Sequence, residues 1–305
     1  MSLTSKHLLG MQNAPAEDIN LILDTARTFR EVLERPVKKV PTLQGITICN
    51  LFYENSTRTR LSFELAEKRL SADTINFSKV GSSAAKGESF KDTVRNIEAM
   101  KVDMIVVRHE SAGVPLFLTK VTSAKVINAG DGIHEHPTQA LLDLYSIREK
   151  KEKFEGLKVC IVGDIAHSRV ALSNIFALKT LGAEVSVCGP LSMMPRHIEK
   201  FGVKVLHRID EAIAENDVIN VLRIQLEREA GSSIPSVREY HNYFGVTAER
   251  IEKNNPEILI LHPGPINRGV EISSEVADGP YQIILDQVTN GVAVRMAVLY
   301  LLGGK

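Results

Sequence analysis

The sequence lacks the features that would tie it to a membrane, a nucleic acid or a disulfide scaffold. None of its apolar runs is long enough to span a bilayer, and the opening Met1-Ser2-Leu3-Thr4-Ser5-Lys6-His7 has no apolar signal-peptide core. A cytoplasmic protein is expected. Lysine plus arginine and aspartate plus glutamate both number 37, so no overall field draws the chain onto nucleic acid or a lipid surface. Any anion site must be local. The three cysteines, Cys49, Cys160 and Cys188, are odd in number, far apart and set in apolar runs without a Cys-x-x-Cys spacing, which predicts buried, reduced thiols. Neither a Gly-x-x-x-x-Gly-Lys-Ser/Thr loop nor a Gly-x-Gly-x-x-Gly after a strand is present, so nucleotide binding of those kinds is unsupported. His134-x-His136 has no third ligand at a recognisable spacing and is followed at once by Pro137, which argues against a metal site.

What is present reads as an α/β protein. A chain of 305 residues suggests about two domains. Ile19, Ile22, Leu23, Ala26, Phe29 and Leu33 recur at helical spacing after Pro15 and predict an amphipathic helix over 16–33. Short apolar runs then alternate with helical stretches, at 46–52, 104–107, 126–129, 157–162, 185–188, 203–206, 218–222 and 258–261. That alternation implies two doubly wound parallel sheets covered on both faces. The seam is expected in the charged stretch 148–153, giving a first domain over 1–150 and a second over 151–285. Val288, Val292, Met296, Leu299 and Leu302 predict a last amphipathic helix, and residues 228–247, rich in charge, Ser and Gly, read as a surface loop.

In open parallel sheets ligands gather beyond the carboxyl ends of the strands. Those positions are strongly polar here. They carry Glu54 and Ser56-Thr57-Arg58-Thr59-Arg60, then Arg108-His109, then His136 and Gln139, then Arg169, then Arg223 and Gln225, and finally His262-Pro263-Gly264-Pro265. Ser56 to Arg60 precedes a helical pattern, so it forms a helix N-terminus whose free N–H groups, hydroxyls and guanidinium forks suit an anion. A plain Ser/Thr cap is the alternative. It explains one hydroxyl but not two arginines placed against the helix dipole. His136 either caps the helix at Pro137 or, with Gln139, serves a carbonyl group. Ser82-Ser83-Ala84-Ala85-Lys86 reads by composition as a flexible loop with a solvated lysine, or as a loop carrying charge into an anion site.

Taken together, Ser56-Thr57-Arg58-Thr59-Arg60, Arg108-His109, His136-Pro137-Thr138-Gln139 and the pairing of Arg169 with Arg223-Ile224-Gln225 resemble the aspartate/ornithine transcarbamylase family, in its aspartate branch. The resemblance covers nearly the whole chain. It implies a carbamoyl-phosphate-binding first domain, rejoined by the C-terminal helix over 286–305, an aspartate-binding second domain, and an active site between them. It further implies that Ser56, Thr57, Arg58, Thr59 and Arg108 hold phosphate together with Ser82 and Lys86 from a neighbouring subunit of a homotrimer. By the same likeness, Thr59, Arg108 and His136 polarise the carbamoyl oxygen, while Gln139 and the backbone at Gly264 and Pro265 take the carbamoyl amino group. Arg169, Arg223, Gln225 and Lys86 would bind the aspartate carboxylates, and Glu54 would pair with Arg169 and Arg228 on domain closure. No metal or organic cofactor is expected. Regulatory chains or dihydroorotase are further partners known in the family.

Ornithine as the second substrate is disfavoured. The usual His-Cys-Leu-Pro of that branch is His262-Pro263-Gly264-Pro265 here, and two arginines suit a dicarboxylate while repelling a side-chain amine. Gly264 departs from members that carry leucine at that place. A noncatalytic scaffold of the same fold is disfavoured by retention of Lys86, His136, Arg169 and Arg223.

Overall fold

All eight apolar runs form parallel strands, with bounds within two residues of those read from the pattern. The computed structural model describes residues 2–78, 88–224 and 236–304. The chain divides into two units, Met1–Tyr145 with Thr289–Lys305, and Ser146–Val288.

The first unit runs through α1 (Ala16–Glu34), β1 (Thr47–Phe52), α2 (Thr57–Arg69), β2 (Asp73–Ser78), α3 (Phe90–Ala99), β3 (Met104–His109), α4 (Val114–Leu118) and β4 (Lys125–Asp131), and it contains the start of α5 (Pro137–Lys151). Its strand order is β2-β1-β3-β4, all parallel. The edge strand β2 was not legible as a strand, because Asp-Thr-Ile-Asn-Phe-Ser is half solvated and offers no continuous apolar run. Central β1 and β3 are mostly apolar, with Asn50 the buried polar exception in β1 and Arg108-His109 closing β3. Cys49, Leu51, Ile105 and Val107 pack with Val94, Ile97, Leu118 and Val126 into one core, each fully buried apolar side chain contributing roughly 1.5–3 kcal/mol. The six apolar residues that predicted α1 are all buried, and Pro15 occupies its N-cap position.

The second unit follows with β5 (Lys158–Val162), α6 (Arg169–Thr180), β6 (Glu184–Cys188), β7 (Lys204–Leu206), α7 (Ile209–Glu215), β8 (Val218–Val221), α8 (Val237–Phe244), α9 (Ala248–Asn254), β9 (Leu259–Leu261) and α10 (Ser274–Ala277), and holds the start of α11 (Ile284–Gly303). Its parallel order is β7-β6-β5-β8-β9. Cys160, Val162, Ile219, Val221 and Ile260 form the middle of its core. All three cysteines are free and buried, and burial pushes the Cys49 and Cys160 thiols up to about 12.

Two sequence readings change. Within 228–247, expected to be a surface loop, residues 237–244 form α8: Ser236 caps it by accepting from the Glu239 N–H, and Tyr240 buries one face beside Ile224 and Met193. The polar composition hid a single apolar anchor per turn. The final helix is also less one-sided than its spacing suggested. Val292 through Leu299 are buried all round, whereas Val288 is exposed. This helix packs into the first unit, where Tyr300 meets Phe29 edge-on at 5.6 Å, Arg295 donates to the Ser62 hydroxyl at 2.8 Å, and Lys125 reaches the Leu302 carbonyl.

Glu67, in the last turn of α2, is buried, with the Asn50 amide donating to it at 2.9 Å. Burial raises its carboxyl from 4.5 to about 7, and the nearby Thr74 hydroxyl and Asn50 amide oppose the shift. Because the folded chain holds this proton longer than the unfolded chain, stability declines as pH rises from 4.5 to about 7 and is flat beyond. Glu67→Gln is therefore expected to be more stable than the parent at pH 8, by up to about 3 kcal/mol, with the difference vanishing near pH 4.5. Urea unfolding of both proteins across that range measures it.

Candidate active site

Each sheet reverses its winding once. In the first unit the chain passes from β1 outward to β2 and then returns to place β3 on the other side of β1; in the second it passes from β5 to β6 and β7 before β8 returns beside β5. At such a switch point the loops leaving two adjacent strands diverge and open a crevice. Both crevices are lined by residues picked out from the sequence.

At the first switch point, β1 leads into Glu54 and the start of α2, and β3 ends on Arg108-His109. Ser56 occupies the N-cap of α2 yet makes no capping hydrogen bond through its hydroxyl, unlike Ser89, Ser168, Ser236, Thr247 and Ser273 at their helices. The cap reading therefore does not account for it. Thr57 and Arg58 are exposed, and Thr59 is buried. Arg108 lies where the β3–β4 register shifts, a bulge that re-aims its side chain. Its guanidinium donates to the Ala129 carbonyl at 3.0 Å and to Glu54 at 3.2 Å, a largely buried pair. Arg108 is thus one partner of Glu54 within this unit, a pairing sequence reasoning had not named.

His136 is buried immediately before α5, and its carbonyl accepts the Gln139 N–H at 3.0 Å. Pro137 fills the first helical position, where a missing N–H costs nothing. The Gln139 amide nitrogen donates to buried Asp143 at 2.9 Å, which leaves the carbonyl end of Gln139 to accept from a ligand. His134 is paired with Asp131 at 3.2 Å.

At the second switch point, Arg169 begins α6 and is buried, while Arg223 follows β8. Strands β5 and β8 are hydrogen-bonded neighbours, so the two arginines issue from adjacent strand ends. Strand β9 is next, and beyond it come His262 and the cis Gly264–Pro265 bond. Ser82, Lys86, Gln225 and Arg228 lie outside the described residues.

The helix starts carry an electrostatic signature. Acidic residues occupy the first turns of α1, α3, α7, α8, α9, α10 and α11, as the helix dipole favours, but not those of α2, α4, α5 or α6. Apart from the single short turn of α4, these are the helices bearing Arg58, Gln139 and Arg169. Leaving their N–H groups without a local carboxylate preserves them for an anion from outside.

Sequence reasoning missed Arg295. It is fully buried over the Phe63 ring at 5.1 Å; burial pulls it down to about 10, with Arg108 acting in the same direction and Asp143 opposing. Its position inside an apolar helical pattern is the only sequence signal. Gly163, which directly follows β5, was given no role from the sequence. It has φ +129, and a Cβ there would sit 3.1 Å from the Leu222 Cβ, so glycine lets the loop carrying Arg169 pass the strand end carrying Arg223. Gly163→Ala is expected to cost about 1–3 kcal/mol. Gly45→Ala, with φ +80 but nothing within 4 Å, is the control and should cost only the backbone share, about 1 kcal/mol. Urea unfolding of the two variants compares them.

Comparison with known proteins adds to this geometry. The domain family described as "Aspartate/ornithine carbamoyltransferase, carbamoyl-P binding domain" matches residues 6–149, and "Aspartate/ornithine carbamoyltransferase, Asp/Orn binding domain" matches residues 155–302. The chain is 63% identical over 302 residues to the aspartate carbamoyltransferase catalytic subunit of Cytophaga hutchinsonii, covering 99% of this chain and 98% of that one. Among solved structures it is similar to aspartate transcarbamoylase from Trypanosoma cruzi in complex with carbamoyl phosphate and aspartate, with TM-score 0.87, 27% identity and coverage of 98% and 97% of the two chains. It is also similar to ornithine carbamoyltransferase from Pyrococcus furiosus, with TM-score 0.83, 30% identity and coverage of 99% and 98%. With both domain families matched in order along nearly its whole length, the chain belongs to the aspartate/ornithine carbamoyltransferase family.

Proposed function

We propose that this protein transfers the carbamoyl group of carbamoyl phosphate to the α-amine of L-aspartate, giving N-carbamoyl-L-aspartate and phosphate, an early step of de novo pyrimidine (UMP) biosynthesis. The observation that carries the reading is the presence of arginines at both switch points: Arg58 and Arg108 beside an acid-free helix start in one unit, Arg169 and Arg223 on adjacent strand ends in the other. One set suits a phosphate and the other a dicarboxylate. The name of the Cytophaga relative and the ligands of the Trypanosoma structure support the same choice.

The chemistry asks for few groups. The amine attacks the carbamoyl carbon, charge builds on the carbamoyl oxygen, and phosphate leaves. Thr59, Arg108 and His136 would stabilise that oxygen, each such donor being worth roughly 3 kcal/mol in related acyl transfers. Gln139, through its carbonyl end, and the backbone at Gly264 and Pro265 would orient the amino group. Phosphate, held by Ser56, Thr57, Arg58, Thr59 and Arg108, can accept the amine proton as it departs, so the reading needs neither a carboxylate base nor a metal. Ser82 and Lys86 from a neighbouring chain, Gln225, and the Glu54–Arg169–Arg228 closure set are carried by family likeness, as are the homotrimer and the cytoplasmic location. Among the described residues no helix is long and apolar enough to cross a membrane.

Ornithine is the competing second substrate, since the Pyrococcus structure shares the fold. A phosphate-release assay with carbamoyl phosphate separates them: release is expected with aspartate and not with ornithine. The reverse result would sink the aspartate assignment, and silence with both favours a noncatalytic scaffold. For the shared site, Arg58→Ala and Lys86→Ala proteins are each expected to be nearly inactive and to recover activity when their subunits are mixed and reassembled; verified mixed trimers without recovery would refute it.

A further inference from the structure

His262 and Glu271 form a polar pair in the core of the second unit, both essentially without solvent exposure. The ring's Nδ1 lies 2.7 Å from the Gly264 backbone nitrogen, a group that can only donate. Nδ1 is therefore the acceptor, and the ring proton sits on Nε2, 3.1 Å from Glu271 Oε1. With both ring nitrogens committed, His262 serves neither as base nor as metal ligand.

The same Glu271 oxygen accepts the Asn267 backbone N–H at 2.6 Å. One carboxylate oxygen thus closes the segment from His262 to Asn267 into a ring, with Gly264 and Pro265 inside it. The ring is fastened at two further points: the His262 N–H donates to Gln287 Oε1 at 2.9 Å, and the Asn267 side-chain amide donates to the Ile224 carbonyl at 2.8 Å. Ile224 is the residue after Arg223. The backbone assigned to the carbamoyl amino group and the arginine assigned to an aspartate carboxylate therefore share one frame, centred on Glu271.

We propose that Glu271 is a positioning residue that fixes the Gly264–Pro265 backbone relative to Arg223, and so sets the distance between the carbamoyl and dicarboxylate ends of the substrate pair. The proposal rests on the carbamoyl-transfer reading above. Stability alone is a poor reason to keep this carboxylate. Among the described residues no lysine or arginine pairs with it, its Oε2 is buried without a hydrogen-bond partner, and replacing a whole buried polar pair by apolar residues of like volume is often neutral or stabilising, although removing one partner alone is costly. Geometry is what an apolar residue could not supply.

Steady-state kinetics of the full chain, with circular dichroism as the folding control, test this on Glu271→Gln, Glu271→Met and Asn267→Ala beside the parent. Glutamine keeps the oxygen that accepts both N–H groups, and its activity should stay within a few-fold of the parent. Methionine fills the same space without an acceptor, and the folded variant should lose about 100-fold in kcat/KM for aspartate, as a misplacement of about 1 Å does elsewhere. Asn267→Ala cuts only the link to Ile224, so it should raise KM for aspartate while leaving carbamoyl phosphate binding, measured by equilibrium dialysis, unchanged. A folded Glu271→Met protein with parental kinetics, or Glu271→Gln as impaired as Glu271→Met, overturns the proposal. Should Glu271→Met not fold, a parental aspartate KM in Asn267→Ala overturns it. A parent that is inactive with aspartate removes the aspartate-carbamoylation reading itself, whereas an active parent with indifferent variants removes this proposal alone.

Discussion

The single reversal of winding in each parallel sheet is the constraint on which the rest of the structure depends. A parallel strand must be followed by a crossover, and crossovers of one hand pile up on one side until the chain returns across its first strand. Only at that return do neighbouring loops leave in opposite directions. The crevice between them is lined by strand ends and helix starts, where backbone N–H groups are free of intrahelical partners. In this protein β1 and β3 form one such pair of ends, and β5 and β8 the other. Among the described residues, every residue assigned to substrate lies beyond the carboxyl end of a strand of one sheet or the other, except Arg108, which lies within the last two residues of β3.

Concentrating cations at those places works against folding. Arginines at helix starts oppose the dipole, and burying them costs solvation. The chain meets part of that cost with carboxylates set at fixed places: Glu54 on Arg108, and Asp143 near Arg295 and on Gln139. Arg295 shows the tension directly, since burial pulls its guanidinium down to about 10 despite Asp143. An anion would relieve the same tension, so the electrostatics that oppose folding at these places are those that favour ligand. Neutral devices do the rest. The bulge at Arg108, the glycine at 163 and the ring closed by Glu271 each set an angle or a spacing without adding charge to the crevice.

The central strands were legible because a strand buried on both faces is nearly continuously apolar, and the shortness of these runs separates them from buried helices. Edge strand β2 failed that test because water covers part of it. Helix α8 was hidden for a related reason: a short surface helix needs only one anchor, here Tyr240, and its remaining residues look like loop. The site was legible where several polar residues crowd one strand end, as in Ser56 to Arg60. It was not legible at Arg295 or Glu271, single charged residues inside apolar stretches, because what makes them matter is the partner each meets.

The sequence by itself determined the alternation of strands and helices, the placement of arginines and hydroxyls at strand ends, and the family to which those motifs point. These are local properties, fixed by residues a few positions apart. Tertiary structure alone decided which strand ends are neighbours, that Glu54 meets Arg108, that Gln139 turns its nitrogen to Asp143, and that one oxygen of Glu271 ties His262 to Asn267. The reason is physical. A hydrogen bond is sensitive to a few tenths of an ångström between groups that, as with Arg295 and Ser62, can be 233 positions apart, and only the packed core sets such distances.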